Sequence, residues 1–233
     1  MNSALSNLLN PCIANTRPHS RLEIKICGLT TAADAQAALD AGADFLGFVL
    51  YEHSPRAVTP AQLARIAAQL PASAKLVGVC VNLAARKIAQ IALDCGLYAV
   101  QLHGDETASD YAELTIPLWR AFRICDNAPQ PDPADWQTAE RFILDATPPR
   151  NTDNYGGTGR QADWTLAANW ARSLPLMLAG GLTPQNVATA IRMVKPLGLD
   201  VSGGVEQMPG KKDATQMQKF VRLARNVTLN YCS

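Results

Sequence analysis

The chain has 233 residues, enough for one well-filled core or two small domains, and 48% of them are apolar. With 21 basic against 20 acidic side chains the net charge is +1, so no general field draws the protein to nucleic acid or to an anionic membrane, and any anion site must be local. No apolar run approaches the roughly 18 residues of a membrane span.

Residues 1–20, "MNSALSNLLNPCIANTRPHS", lack the basic start and continuous apolar stretch of a secretory signal. They are expected to form a short, irregular and flexible N-terminal extension that adds nothing to the core, leaving 21–233 as one domain. The six cysteines, Cys12, Cys27, Cys80, Cys95, Cys125 and Cys232, form no CxxC pair and no Cys/His cluster with zinc-like spacing. Reduced thiols in a cytoplasmic enzyme, with no metal, are the simplest reading.

Apolar segments then recur along the chain: "EIKIC", "DFLGFVL", "KLVGVCV", "YAVQL", "LWRAFRI", "RFILDA", "LMLAGG" and "LGLDVSGG". Each is short and rich in Val, Ile, Leu or Phe, as a strand buried on both faces requires. Helical patterns lie between most of them. Thr31 and Asp34 stand at capping-box spacing before the first. Thr59, Pro60 and Gln62 open the next, with Leu63, Ile66, Ala67 and Leu70 on one face. Ile88, Ile91, Ala92 and Cys95 repeat that spacing, and Gly96 is a natural stop. Thr183 and Pro184 are expected to start a helix carrying Val187, Ala190, Ile191 and Val194. The Pro-rich "DNAPQPDPADW" reads as a loop within the domain.

Eight strands alternating with helices fit an α/β fold, a single-domain parallel (β/α)8 TIM barrel. A doubly wound open sheet satisfies the same periodicity, which does not say whether a sheet closes. In a barrel, function belongs at the C-terminal strand ends. Cys27 ends the first strand and Asp145 the sixth. By itself, a thiol there fits core packing as well as catalysis, and the carboxylate fits a turn cap as well as an acid.

Glycine-rich stretches also follow strands: "YGGTG" at Tyr155–Gly159, "AGGLTPQNV" at Ala179–Val187 and "VSGGVE" at Val201–Glu206. Glycines let backbone N–H groups approach an oxyanion. Two of these stretches follow strands seven and eight, where such barrels commonly bind phosphate. A small phosphorylated molecule is the expected ligand, with no nucleic acid or membrane partner. His103 in "VQLHGDE" either lines the mouth or fills space, His53 sits in an exposed-looking loop, and His19 is expected to be solvated.

Taken in order, "KICGLT", "ADFLGFVL…SPR", "VGVCVN", "VQLHGDE", "LDA…YGGTG…DW", "LAGGLTPQNV" and "LDVSGGVE…PGKKD" resemble the phosphoribosylanthranilate isomerase family from about Glu23 to about Phe220. The resemblance implies a cofactor-free Amadori rearrangement in tryptophan biosynthesis. It implies Cys27 as general base, Asp145 as general acid, and Arg56 facing the anthranilate carboxylate. It also implies Gly156, Gly157, Gly180, Gly181, Ser202 and Gly203 around the phosphate.

The chemistry agrees with those roles. Opening a ribose ring needs a carboxyl group partly protonated near neutrality, so Asp145 should be raised by burial. A base must then take the proton from the neighbouring sugar carbon, so the site should favour the Cys27 thiolate. Lys25 shares a strand face with Cys27 and either helps electrostatically or snorkels. Asp200, on the eighth strand, either orients the site or fixes its loop. Arg56 is either a surface charge or a fork for a carboxylate.

The chain departs from the family pattern at Gly203, where a serine is usual, at Ala162, where an aromatic is usual, and at Leu50 and Glu52. The related histidine-pathway isomerases carry an aspartate where this chain has Cys27. A non-catalytic phosphate binder would keep the glycine loops while losing Cys27 or Asp145. The sequence leaves monomer and homodimer both open.

Overall fold

The computed structural model describes residues 21–123, 132–146 and 162–229. Eight strands, β1 (Glu23–Ile26), β2 (Phe45–Val49), β3 (Leu76–Cys80), β4 (Ala99–Leu102), β5 (Leu118–Arg123), β6 (Ala139–Asp145), β7 (Leu176–Leu178) and β8 (Gly198–Val201), pair in sequence order and close into a parallel barrel. Closure is made by β1 against β8, with Lys25 opposite Asp200 and Ile26 opposite Val201. The open-sheet alternative is thereby excluded.

Alternation along the strands divides the apolar side chains between two cores. Ile24, Ile26, Leu46, Phe48, Leu144 and Leu199 face outward and pack beneath the helices. Phe45, Val77, Ala99, Trp119, Ala121, Ile143, Met177 and Ala179 form a separate cluster that fills the cylinder. Below it Arg141 grips Glu23 with two hydrogen bonds of 2.7 Å and lies over the Trp119 ring. The lower interior is therefore plugged, which leaves the other end for chemistry.

The helices α1 (Ala32–Asp40), α2 (Pro60–Ala67), α3 (Ala85–Cys95), α4 (Trp164–Ala171), α5 (Val187–Val194) and α6 (Ala214–Leu229) pack outside the strands. Thr31 caps α1 and Thr59 completes a reciprocal capping box with Gln62 on α2. Gly96 ends α3 in the left-handed conformation, φ +62°, over the buried stripe Ile88, Ile91, Ala92 and Cys95. Burying one such large aliphatic side chain contributes about 1.5–3 kcal/mol.

One local expectation is corrected. The helix after β7 starts at Val187 rather than at Thr183, because Asn186 Oδ1 accepts from the Thr183 N–H at 2.8 Å and its amide donates to Gly181 O at 2.8 Å, holding this stretch as a turn. Between β4 and β5 the chain makes only a 3-10 turn, Ala108–Tyr111. An unforeseen hairpin, β9 (Glu206–Met208) and β10 (Lys211–Lys212), follows β8 around Pro209 and Gly210. No helix among the described residues is long and apolar enough to cross a membrane. The expected N-terminal extension, Cys12, Cys125, Cys232, most of the Pro-rich loop, Gly156 and Gly157 lie outside the described residues.

Candidate active site

At the upper end of β1, Lys25 and Cys27 project into the cylinder. Lys25 is fully buried, so it does not snorkel. Its Nζ donates to Asp200 Oδ2 and to Gln101 Oε1, each at 2.8 Å. Burial pulls the ammonium pKa down, but Asp200 and Cys27 outweigh burial and leave it above the ordinary lysine value. Asp200 thus holds this cation in place. The space for both side chains comes from Gly47 on β2, where a Cβ would lie 2.7 Å from Cys27 Sγ and 2.9 Å from Lys25 Cε.

Burial pushes the Cys27 thiol above its ordinary pKa, Asp200 adds to that, and the opposing pull of Lys25 and Lys212 does not reverse it. The expectation that the site favours thiolate is therefore corrected for the ligand-free protein. Asp200 cancels part of the Lys25 charge that would have stabilised the anion.

Asp145 stands at the corresponding end of β6, buried, with Oδ1 accepting from the Ala146 N–H at 2.7 Å. Its Oδ2 lies 3.3 Å from His103 Nε2. His103 follows β4, and its Nδ1 lies 3.0 Å from Gln101 Nε2. Cys27 and Asp145 therefore open on the same mouth, joined beneath it by Lys25, Gln101 and His103. The loop after His103 is pinned, since Glu106 accepts from the Gly104 and Asn82 N–H groups at 2.8 Å and from Arg120 Nη1 at 2.5 Å.

Arg56 is buried at the other side of Cys27 and grips Glu206 through Nε and Nη2, at 2.8 and 2.7 Å. Lys212 Nζ donates to the same carboxylate at 2.6 Å and lies 3.4 Å from Ser202 Oγ. Burial would raise the Glu206 carboxyl, yet Arg56 and Lys212 hold it below the usual range. Burial lowers the Lys212 ammonium. Gly28 admits Arg56: with φ +74°, its missing Cβ would sit 2.5 Å from Arg56 Cδ and 2.8 Å from Ser202 Oγ. The glycine of "KICG" is thus a steric requirement of this cluster.

The loops after β7 and β8 meet beside it. Gly180 and Gly181 both have positive φ, +78° and +64°. A Cβ on Gly180 would come within 2.6 Å of Ala146 N, which packs this loop against the end of β6 beside Asp145. Gly203 is different. A Cβ there would meet Arg56 Nη2 only at 3.4 Å, so the departure from serine leaves room rather than relieving a clash. Ala162 is buried in the outer core. Among the described residues no group of His, Cys, Asp or Glu could hold a metal ion.

Three residues escaped sequence reasoning. Gln101 carried a usable signal, because it lies on β4 two residues before His103, and extended chain puts such residues on one face. Glu206 and Lys212 sit inside "SGGVE…PGKKD", but the hairpin that turns both inward has no local signature beyond Pro209 and Gly210.

Residues 24–223 match the family model described as N-(5'phosphoribosyl)anthranilate (PRA) isomerase. The N-(5'-phosphoribosyl)anthranilate isomerase of Pelobacter propionicus is 46% identical over 204 residues, covering 88% of this chain and 96% of that protein. The structure of monomers generated from the dimeric phosphoribosylanthranilate isomerase of Thermotoga maritima superposes with a TM-score of 0.73 at 34% identity, over 88% of this chain and 100% of that one. A phosphoribosylanthranilate isomerase in complex with reduced 1-(o-carboxyphenylamino)-1-deoxyribulose 5-phosphate gives 0.71 at 34% identity, over 88% of this chain and 100% of that one. An isomerase by all three comparisons, the chain belongs to the N-(5'-phosphoribosyl)anthranilate isomerase family.

Proposed function

We propose that the protein converts N-(5-phosphoribosyl)anthranilate into 1-(2-carboxyphenylamino)-1-deoxyribulose 5-phosphate, a cofactor-free Amadori rearrangement in tryptophan biosynthesis. The observation that carries this reading is the placing of a thiol, Cys27, and a carboxyl group, Asp145, at one barrel mouth with Lys25, Gln101 and His103 between them. The relative bound to the reduced product analogue supports it.

Asp145, protonated, delivers its proton to the ribose ring oxygen as the C1–O bond breaks, leaving a C1=N iminium. The Cys27 thiolate takes the proton from C2, and the C–H electron pair becomes the C1=C2 bond of the enolamine as nitrogen regains its lone pair. Tautomerisation of that enolamine gives the ketose. Substrate and product are isomers, so no electron donor or acceptor enters. The forked Arg56 faces the anthranilate carboxylate with the N–H groups that Glu206 does not use. Phosphate lies against the loops of Gly180, Gly181, Ser202 and Gly203; Gly156 and Gly157, which the resemblance adds to this set, lie outside the described residues.

The test is to form phosphoribosylanthranilate in situ and follow the loss of its fluorescence on adding the purified chain. Loss proportional to protein is expected. No loss would overturn the reading, and preferential turnover of the histidine-pathway aminoaldose would replace it with that isomerisation.

A further inference from the structure

We infer that Gln101 is a positioning residue that holds His103 as the neutral Nε2–H tautomer, so that His103 donates a hydrogen bond to Asp145 as that carboxyl group gives up its proton. The inference rests on the reading of Asp145 as general acid and assigns the machinery that supports it.

The tautomer follows from donors and acceptors alone. The Lys25 ammonium has three N–H donors and no acceptor, so the Gln101 atom 2.8 Å away must be the carbonyl oxygen. That leaves the Gln101 amide nitrogen, a pure donor, 3.0 Å from His103 Nδ1. Nδ1 must therefore offer its lone pair, and the ring proton sits on Nε2. The amide does not flip, because flipping would set an N–H₂ against an ammonium and strand both. Lys25 is itself fixed by Asp200 and fully buried.

The Nε2–H faces Asp145 Oδ2 at 3.3 Å and makes no hydrogen bond of good geometry although it is buried. A buried donor left without a partner is costly. Here it is aimed at the oxygen that becomes anionic when Asp145 protonates the ring oxygen. Contacts of this kind are commonly long in the empty enzyme and tighten as charge develops. A donor that binds the carboxylate better than the carboxylic acid strengthens the acid at the moment of transfer. Among the described residues, the charged groups bonded or adjacent to this unit are Asp145 against Nε2 and Lys25 with Asp200 through Gln101; Arg123, opposite Asp145 in register, pairs with Asp105, and Glu106 with Arg120 at the following loop.

Nitrogen-15 NMR of the histidine-labelled, ligand-free protein at neutral pH tests the tautomer without any variant. The expected spectrum shows His103 protonated on Nε2 only. An Nδ1–H tautomer or an imidazolium overturns the inference, whether or not the protein is active, whereas inactivity with the expected tautomer counts against the proposed function instead. In Gln101→Glu both side-chain oxygens accept, so His103 must carry a proton on Nδ1. A ring that stays neutral then shows Nδ1–H in place of Nε2–H, and kcat should fall about tenfold to a hundredfold, the range of one hydrogen bond to a charged group, with KM little changed; a kcat that falls as far while the ring is imidazolium, and so keeps its Nε2–H, overturns the positioning role. Unaltered kcat with the inverted tautomer, or a defect confined to KM, overturns the positioning role.

Discussion

Arg56 and Glu206, 150 residues apart, lie fork to fork, with Nε and Nη2 of the guanidinium 2.8 and 2.7 Å from the two carboxylate oxygens. The pair is buried and Lys212 shares the same carboxylate, so two cations balance one anion beside Cys27. A site with this surplus positive charge suits a ligand that brings its own negative groups.

Removing the fork should weaken binding more than turnover. Arg56→Ala is expected to raise KM about tenfold to a hundredfold, the range of one charge-assisted hydrogen bond, with kcat close to wild type. Steady-state kinetics with phosphoribosylanthranilate check it, and an unchanged KM would move the anthranilate contact to another residue.

The two proton-transfer groups should behave in the opposite way. Cys27→Ala and Asp145→Asn are each expected to lower kcat by about a hundredfold to ten-thousandfold while KM moves little, as for loss of a general acid or base. Fluorescence loss under saturating substrate measures this. Wild-type-like turnover in either variant would remove that residue from the reaction.

Burial and Asp200 hold the Cys27 thiol above its ordinary pKa in the ligand-free protein. A raised pKa means less thiolate at a given pH, so alkylation of Cys27 by iodoacetamide should be slow at neutrality. It should climb about tenfold for each pH unit into and beyond the range where free thiols level off. Cys80, buried and pushed up to about 12, should stay unlabelled throughout. Site-resolved mass spectrometry reads both, and a Cys27 rate already level at neutral pH would show a resident thiolate.

Gly47→Ala tests the space reserved for the thiol. The new methyl group would press on Cys27 Sγ and Lys25 Cε, at 2.7 and 2.9 Å. Overpacking of this kind costs about 1–3 kcal/mol, which should lower the urea midpoint and, by displacing Cys27, kcat as well. Full activity at unchanged stability would show that β2 yields without disturbing the thiol.

Much of the architecture was legible in the order of residues. The eight apolar runs are the eight strands, and Thr59 with Gln62, or Gly96 after the Ile88 stripe, mark helix ends through interactions a few residues long. Such signals are local, so one chain segment contains all of the physics behind them. The positions of Cys27 and Asp145 at strand ends were visible for the same reason. So was the shared face of Lys25 and Cys27.

What the tertiary structure decided is which inward-facing groups meet. Lys25 reaches Gln101 across 76 residues and Asp200 across 175, and those contacts exist only because the sheet closes with β1 against β8 in one register. That register sets Asp200 beside the Lys25–Cys27 pair, where burial first and then Asp200 push the thiol pKa up, against the thiolate that the reaction's need for a base had suggested. Hydrophobic periodicity decides whether a side chain faces inward. The electrostatic partners it finds there depend on strand pairing and burial, which depend on the whole closed cylinder.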